Sequence, residues 1–380
     1  MKRLLLTALL GLILFCPGAK GEALEPALRS TLDSLPLSEW QRAYEQAFPE
    51  GEDMSALLLR LARGERALDP DALLKALLNG LIGALNGSVW RLSRLIVPAV
   101  LCGVLQRLKG AFARPAVGEA VNAACFLLLA GCMAQDLSRH IRLSSGAVER
   151  LADLMQALFP LLLTLLAAVG GTAGAAFFQP AVVAASGTMT YLVRSVTLPL
   201  ALGAGVITVL GHLSPKARLA RLAALMKSGA AWTLGIGFTV FISVTALQSL
   251  GAAAADGVSI RAAKYAVDHF VPVVGGMVAD TMDTLVGASL LIKNALGLTG
   301  LLLLLKTASG SMLQTLAAVI VYRAGAALLE PLGDVRFSAC VQDFSDILML
   351  LFVIQLSVGA MFLLLVAQML VVGNLTVMLR

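Results

Sequence analysis

The sequence predicts an all-α fold: a polytopic α-helical membrane protein with an N-terminal signal peptide and a small extracytoplasmic helical segment. Of its 380 residues, 58% are hydrophobic and only 14% are charged, and the mean hydropathy is +0.87. Soluble domains have about 45–50% apolar and about 25% charged residues. Several apolar stretches also approach the roughly 20 residues that a membrane-spanning helix needs. These observations together indicate a membrane protein.

The chain begins with a segment that is typical of a secretory signal peptide, Met1–Gly21. Basic Lys2 and Arg3 precede the apolar run Leu4–Phe15, and small residues near Gly21 suit cleavage after that residue. A cleaved leader places the chain that follows outside the cytoplasm. An uncleaved membrane anchor is the alternative.

The segment Glu22–Leu78 is the only sizeable soluble piece, and we predict that it is extracytoplasmic and helical. It is polar and charged, with leucines at helical spacing and with Pro and Gly residues that divide it into short helices. About 57 residues are few for an independent fold, so we expect packing on the membrane domain or on a partner. Trp40 and Tyr44, at i and i+4, suit a docking surface or, as we favour, a local core contact.

The remainder of the chain, Asn79–Arg380, is predicted to be a multi-spanning membrane domain of seven or eight segments. The candidate segments are Val89–Leu105, Ala116–Met133, Leu154–Gly171, Val193–Leu213, Ala230–Leu250, Ala295–Val321 and Ile347–Val372.

Basic residues between the segments restrict the topology. Cytoplasmic loops tend to carry Lys and Arg, and the loop with Lys109 then falls inside. Seven simple crossings would place the basic stretch Lys216–Lys227 outside, against that tendency. We therefore predict that Lys216–Lys227 is cytoplasmic and that Ala175–Val193 contains an additional crossing or a tight hairpin.

The segment Ala295–Val321 is interrupted near its middle by Lys306 and a run of small polar residues. Discontinuous helices of this kind often mark substrate or ion pathways. The alternative is two short segments that meet at an interface, with the Lys306 ammonium in water.

The most unusual stretch is Lys264–Gly300, which is apolar yet carries several ionisable residues. Asp280 and Asp283 share one helical face, and charges at membrane depth are costly. The two acids therefore predict a helix that lines a cavity or, alternatively, an amphipathic helix on the membrane surface. Pro272 and the Gly275-Gly276 pair predict a hinge at its start.

The polar residues of this region are the candidate functional residues, as contacts with a pathway or with a partner. They are Asp280, Asp283, Lys293, Asn294, Lys306 and Glu330, with Pro272, Gly275 and Gly276 as the candidate hinge.

No enzyme signature is present, so we expect a protein that is not an enzyme and that uses no cofactor. Phosphate-loop and HExxH motifs are missing, and the three histidines lack the spacing of metal ligands. The net charge of +6 fits loop orientation, and without a basic run interleaved with aromatics we expect no nucleic-acid partner.

The run VDHFVPVVGGMVADTMDTLVGASLLIKNALGLTGLL, followed downstream by LEPLGDVR, resembles the stage III sporulation protein AE family of endospore-forming bacteria. The resemblance extends over nearly the whole chain and is most specific from Pro272 to Gly300 and at Glu330, Pro331, Asp334 and Arg336.

The resemblance implies a component of a channel-like complex in the mother-cell membrane that faces the forespore. Its implied partners are other stage III sporulation membrane proteins, an associated ATPase and a forespore-side protein, besides the lipid bilayer. Such a complex maintains the forespore and supports its late gene expression. A stand-alone secondary transporter is the alternative, favoured by the interrupted segment and the intramembrane acids.

Overall fold

The structure, a computed structural model, describes residues 24–35, 37–49, 52–64, 70–107, 115–213, 219–270, 275–331 and 335–378. All regular secondary structure within these ranges is helical. The predicted signal peptide and Pro272 lie outside the described residues.

Three short helices form the N-terminal segment: α1 (Leu24–Asp33), α2 (Ser38–Ala47) and α3 (Met54–Ala62). Their apolar faces are buried, and Trp40 and Tyr44 of α2 belong to the core as predicted. The segment packs against the long helices of the membrane domain. Helix α3 ends at Ala62, and Gly64, two residues later, has a φ of 77°, a conformation that glycine adopts without steric cost.

Long helices make up the rest of the fold. They are α4 (Pro70–Arg107), α5 (Pro115–Ala168), α6 (Thr172–Leu192), α7 (Leu198–Leu213), α8 (Ala220–Phe270), α9 (Gly275–Leu329) and α10 (Val335–Met378). A π-helical turn, Val193–Thr197, joins α6 to α7 without a break. Helix α4 thus begins before the boundary predicted at Leu78.

Six stretches of the described residues are long and apolar enough to cross a membrane. They are Asp71–Trp90, Ala123–Ala168, Gly187–His212, Ala220–Ala252, Val286–Leu329 and Phe337–Asn374. Seven were predicted from the sequence, because two of the predicted segments, Ala116–Met133 and Leu154–Gly171, both fall largely within the single helix α5.

Two predicted irregularities are wrong. The hairpin expected within Ala175–Val193 is absent, because α6, the π-helical turn and α7 form one helical rod. The chain reverses earlier, at Gly170, whose φ is 96°. Helix α9 is likewise continuous through Lys306, and the small polar residues there fit the helix. Ser309, for example, donates its hydroxyl hydrogen to the Lys306 carbonyl at 2.9 Å.

Helix α9 is the centre of the bundle. It packs most extensively on α10 and also contacts α4, α5 and the N-terminal segment. Its residues 291–301 are all buried. Glycine permits the closest contacts, because a Cβ at Gly300 would lie 2.5 Å from Leu158 of α5. The paired contacts show that α9 runs antiparallel to both α5 and α10, which are parallel to each other.

Candidate functional site

A completely buried lysine lies between α9 and α10. The Lys293 side chain has no exposed surface, and its Nζ donates a hydrogen bond to the Leu370 carbonyl of α10 at 3.3 Å. No carboxylate of the described residues pairs with it. Because a buried ammonium loses its hydration, such a residue within a membrane span is a functional candidate by default.

Gly373 provides the space that the lysine occupies. A Cβ atom at Gly373 would overlap the Lys293 Nζ and would lie 2.6 Å from its Cε. Real Cβ contacts are never this short, so any other residue at this position forces the lysine to move. The side chain of Lys293 and the backbone of α10 are therefore matched in shape.

Asn294 extends this polar cluster by one residue. Its Nδ2 donates to the Asn374 Oδ1 of α10 at 3.0 Å, whereas its own Oδ1 is buried and accepts no hydrogen bond from the described residues. An unsatisfied buried acceptor costs about 1–3 kcal/mol. The cluster thus places a buried lysine amine and an unpaired acceptor on adjacent residues of α9.

A second polar cluster joins α5, α9 and α10, with Gln355 of α10 at its centre. The Gln355 Nε2 donates to Ser144 Oγ of α5 at 2.6 Å and to Thr315 Oγ1 of α9 at 3.1 Å. Its Oε1 accepts from Ser311 Oγ at 2.7 Å. The His140 Nδ1 lies 3.4 Å from the same Thr315 hydroxyl. All five side chains are buried, so the three helices share one hydrogen-bond network.

Polar pairs continue along these helices beyond the Gln355 cluster. Tyr322 of α9 donates to the Asp136 carboxylate of α5, and Ser345 of α10 donates to the Val319 carbonyl at 3.2 Å. His212 Nε2 of α7 lies 2.9 Å from Asp343 of α10. Within the described ranges, no three His, Cys, Asp or Glu side chains are grouped as metal ligands.

A protein-family model matches the part of the chain that contains both clusters, except for Asn374. The model of the family described as "Stage III sporulation protein AE (spore_III_AE)" matches residues 53–373. The chain belongs to the stage III sporulation protein AE family. A relative named stage III sporulation protein AE, from Bacillus subtilis (strain 168), is 29% identical over 337 residues, covering 89% of this chain and 84% of the relative. No solved structure matches the chain.

Membership of this family supports a role in sporulation, and the six apolar helical spans make this a multi-pass membrane protein. The matched range contains every candidate residue that the sequence analysis selected.

The structure brings together only part of the predicted set. Lys293 and Asn294 are neighbours in the buried cluster, whereas Lys306 is exposed, with its Nζ 6.0 Å from the centre of the Phe48 ring. Glu330 is exposed in the turn after α9. These residues therefore do not form one site.

The acids and the hinge stay predictions. The backbone of Asp280 and Asp283 is helical within α9, and their side chains lie outside the described features. Gly275 and Gly276 are the first two residues of α9. The predicted hinge thus coincides with the junction between α8 and α9, whose residue Pro272 is not among those described.

Sequence reasoning missed the Gln355 cluster and the partners of Lys293. The detectable signal for Gln355 was an amide within the apolar segment Ile347–Val372, which contains only one other glutamine, Gln368. His140 and Ser144, at i and i+4 on α5, were a second signal. Gly373 carried no signal of its own, because its role depends on a side chain from another helix.

Proposed function

We propose that this protein is a membrane component of a transenvelope, channel-like complex that links the mother cell to the forespore during endospore formation. In this proposal the complex is needed for forespore maintenance and late gene expression. The protein acts in the mother-cell membrane that faces the forespore. Its partners are other stage III sporulation membrane proteins, an associated ATPase and a forespore-side protein.

One observation carries the proposal: the length of the helices. Helices α5, α8 and α9 contain 54, 51 and 55 residues, which correspond to about 75–85 Å at about 1.5 Å per residue. A bilayer with its headgroups is about 40–45 Å thick. Helices of this length extend beyond one membrane, which supports a part in an assembly that connects two membranes.

The polar interior supports a non-catalytic role in such an assembly. The buried groups around Gln355 satisfy one another within three helices, an arrangement that holds helices in register. We propose that the protein needs no cofactor, binds no nucleic acid and is not an enzyme. The transporter alternative loses one of its two arguments, because α9 has no interruption at Lys306.

The test is purification of the full chain, with an affinity tag, from sporulating cells after engulfment. We expect other sporulation membrane proteins and an ATPase to co-purify in fixed ratio, whereas an unrelated multi-pass protein used as bait recovers neither. We also expect the protein alone, in proteoliposomes, to catalyse no ion-coupled solute uptake. Robust uptake by the isolated protein, with no co-purifying partners, would contradict the proposal.

A further inference from the structure

A groove of about 790 Å³ lies between α4 and α9 and is bordered at one side by the N-terminal segment. Its apolar walls include Leu77 of α4 and Leu302 of α9, and Tyr44 and Phe48 close one end. Burial, together with the carboxylates of Glu52 and Asp53, raises the pKa of Tyr44, so its phenol stays neutral. The groove thus combines an apolar trough with aromatic residues at its border.

The helices that form the walls of the groove indicate that it faces lipid. Both of its long walls belong to candidate membrane spans, Asp71–Trp90 and Val286–Leu329. Only 6% of the first span is buried within the protein, and its outward side chains, such as Leu74 and Ile82, are more than half exposed. A helix this apolar and this exposed is solvated by lipid, and lipid therefore has direct access to the groove.

Two glycines keep the groove open. A Cβ atom at Gly83 of α4 or at Gly310 of α9 would meet nothing within 4 Å. Gly297 and Gly300 of α9, by contrast, serve close packing: a Cβ at Gly300 would lie 2.5 Å from Leu158. Gly83 and Gly310 therefore do not bring two helices together. They leave space between them.

Two cations without a carboxylate partner line the same groove. They are Arg139 of α5 and Lys306 of α9, and neither forms an ion pair within the described residues. Two other arginines of the bundle, by contrast, pair with carboxylates: Arg194 with Glu149 at 2.5 Å and Arg323 with Asp346 at 3.2 Å. The carboxylate of Glu52, also in the groove, is bonded to Arg60 at 2.6 Å. The groove therefore has an excess of positive charge.

We propose that this groove binds an anionic phospholipid, with its phosphate near Arg139 or Lys306 and an acyl chain along the trough past Gly83 and Gly310. The charge favours an anion and the apolar walls favour a hydrocarbon chain. A phospholipid supplies both in one molecule. A bound lipid would contact the N-terminal segment, α4 and α9 at the same time. It would also cover part of the exposed apolar surface of α4.

The experiment measures lipid binding to the full chain, purified in a nonionic detergent and stripped of lipid. Dioleoyl phosphatidylglycerol and dioleoyl phosphatidylcholine are titrated in mixed micelles, and bound lipid is read by native mass spectrometry. We expect preferential retention of phosphatidylglycerol. Arg139→Gln and Lys306→Gln should each weaken its binding about fivefold, since a basic residue near an anionic lipid contributes about that factor.

Matched control variants distinguish the effect of losing a groove cation, or of filling the groove, from a general loss of protein stability. Arg142→Gln removes an exposed cation of α5 that does not line the groove, and we expect unchanged binding. Gly83→Leu with Gly310→Leu fills the trough and should weaken binding of both lipids. Gly187→Leu, at another glycine with open space around it, should not.

Three outcomes would overturn the proposal. The first is equal affinity for the two lipids, or no effect of the Arg139→Gln, Lys306→Gln double variant. The second is full competition by inorganic phosphate, which would indicate a site for the free anion. The third is unchanged lipid binding in the groove-filling variants together with loss of a co-purifying protein, which would assign the groove to a protein partner.

Discussion

Lys293, a lysine with no exposed surface, is energetically costly to bury. Its Nζ has one backbone carbonyl as its hydrogen-bond acceptor, from Leu370, and the described residues offer no counter-charge. A residue that is costly to bury and requires a glycine opposite it is better explained by function than by stability. The residues that contact Lys293 are therefore the first targets for mutation.

Gly373→Ala should disrupt this contact. The new methyl group would overlap the Lys293 Nζ, and overpacking of a filled interior typically costs about 1–3 kcal/mol. We expect a lower unfolding temperature of the purified protein in detergent. Gly359→Ala is the control on the same helix, because its Cβ would be at an ordinary 3.6 Å from Ala308.

A double-mutant cycle makes this prediction specific. In a Lys293→Leu background the Nζ and Cε atoms are gone, so Gly373→Ala should cost much less than in the wild-type background. Equal costs in the two backgrounds would show that Gly373 does not act through the lysine.

Two acids near the start of α9, Asp280 and Asp283, allow a test of whether their negative charge is needed. Asp280→Asn and Asp283→Asn keep size and hydrogen-bonding capacity, and we expect at least one to block sporulation after engulfment. Membrane levels, read by immunoblot, should stay normal. Asp33→Asn, at an exposed acid of the N-terminal segment, is the control. A double Asn variant that sporulates like the wild type would reduce these acids to a solvated face.

At the scale of the helix, the sequence predicted that long apolar helices are present better than it predicted where each helix begins and ends. Hydropathy separated Ala116–Met133 from Leu154–Gly171 because several charges, among them Arg142 and Asp153, lie between them. In α5 those charges are exposed on a helix that does not stop. A hydropathy pattern records where a chain becomes polar, which need not be where a helix ends.

A local sequence pattern also limits which site residues can be predicted. Lys293 and Asn294 were predicted because ionisable and amide residues stand out in an apolar stretch. Their partners were not, because Asn374 is 80 residues away and only the packing of α9 on α10 brings it close. The role of Gln355 depends on α5 and α9 together, and no local pattern contains that information.

We expect Gln355 to stabilise the packing of α5, α9 and α10 on one another. Gln355→Leu leaves the Ser311 hydroxyl without its acceptor, and a buried unsatisfied group costs about 1–3 kcal/mol. We expect a clear drop in the unfolding temperature in detergent. Adding Ser311→Ala should recover part of it, since removal of both partners is less costly than removal of one. Gln342→Leu, at an exposed residue of α10, should have little effect.

At the scale of the whole molecule, the helix count resolves the conflict between the charges and the predicted crossings. With α5 as one crossing and α6 with α7 as the next, the junctions α4–α5 and α7–α8 fall at the same end of the bundle. Both carry basic residues, including Arg107 and Arg221. The positive-inside tendency then predicts that this end is cytoplasmic, without the additional crossing or hairpin expected within Ala175–Val193.

Six crossings make a definite prediction about the two ends of the chain. If the N-terminal segment is outside, an even number of crossings returns the chain to the outside after α10. Single cysteines at Ser55 of α3 and Ser228 of α8, both exposed, and a cysteine appended after Arg380 report the three positions, in a background where the native cysteines are replaced. We expect a membrane-impermeant thiol reagent to label the first and the last in intact cells, and Ser228→Cys only after permeabilisation. Labelling of Ser228→Cys from outside would mean that the basic end of the bundle is not cytoplasmic. A protected C-terminus would mean that one of the six helices does not cross.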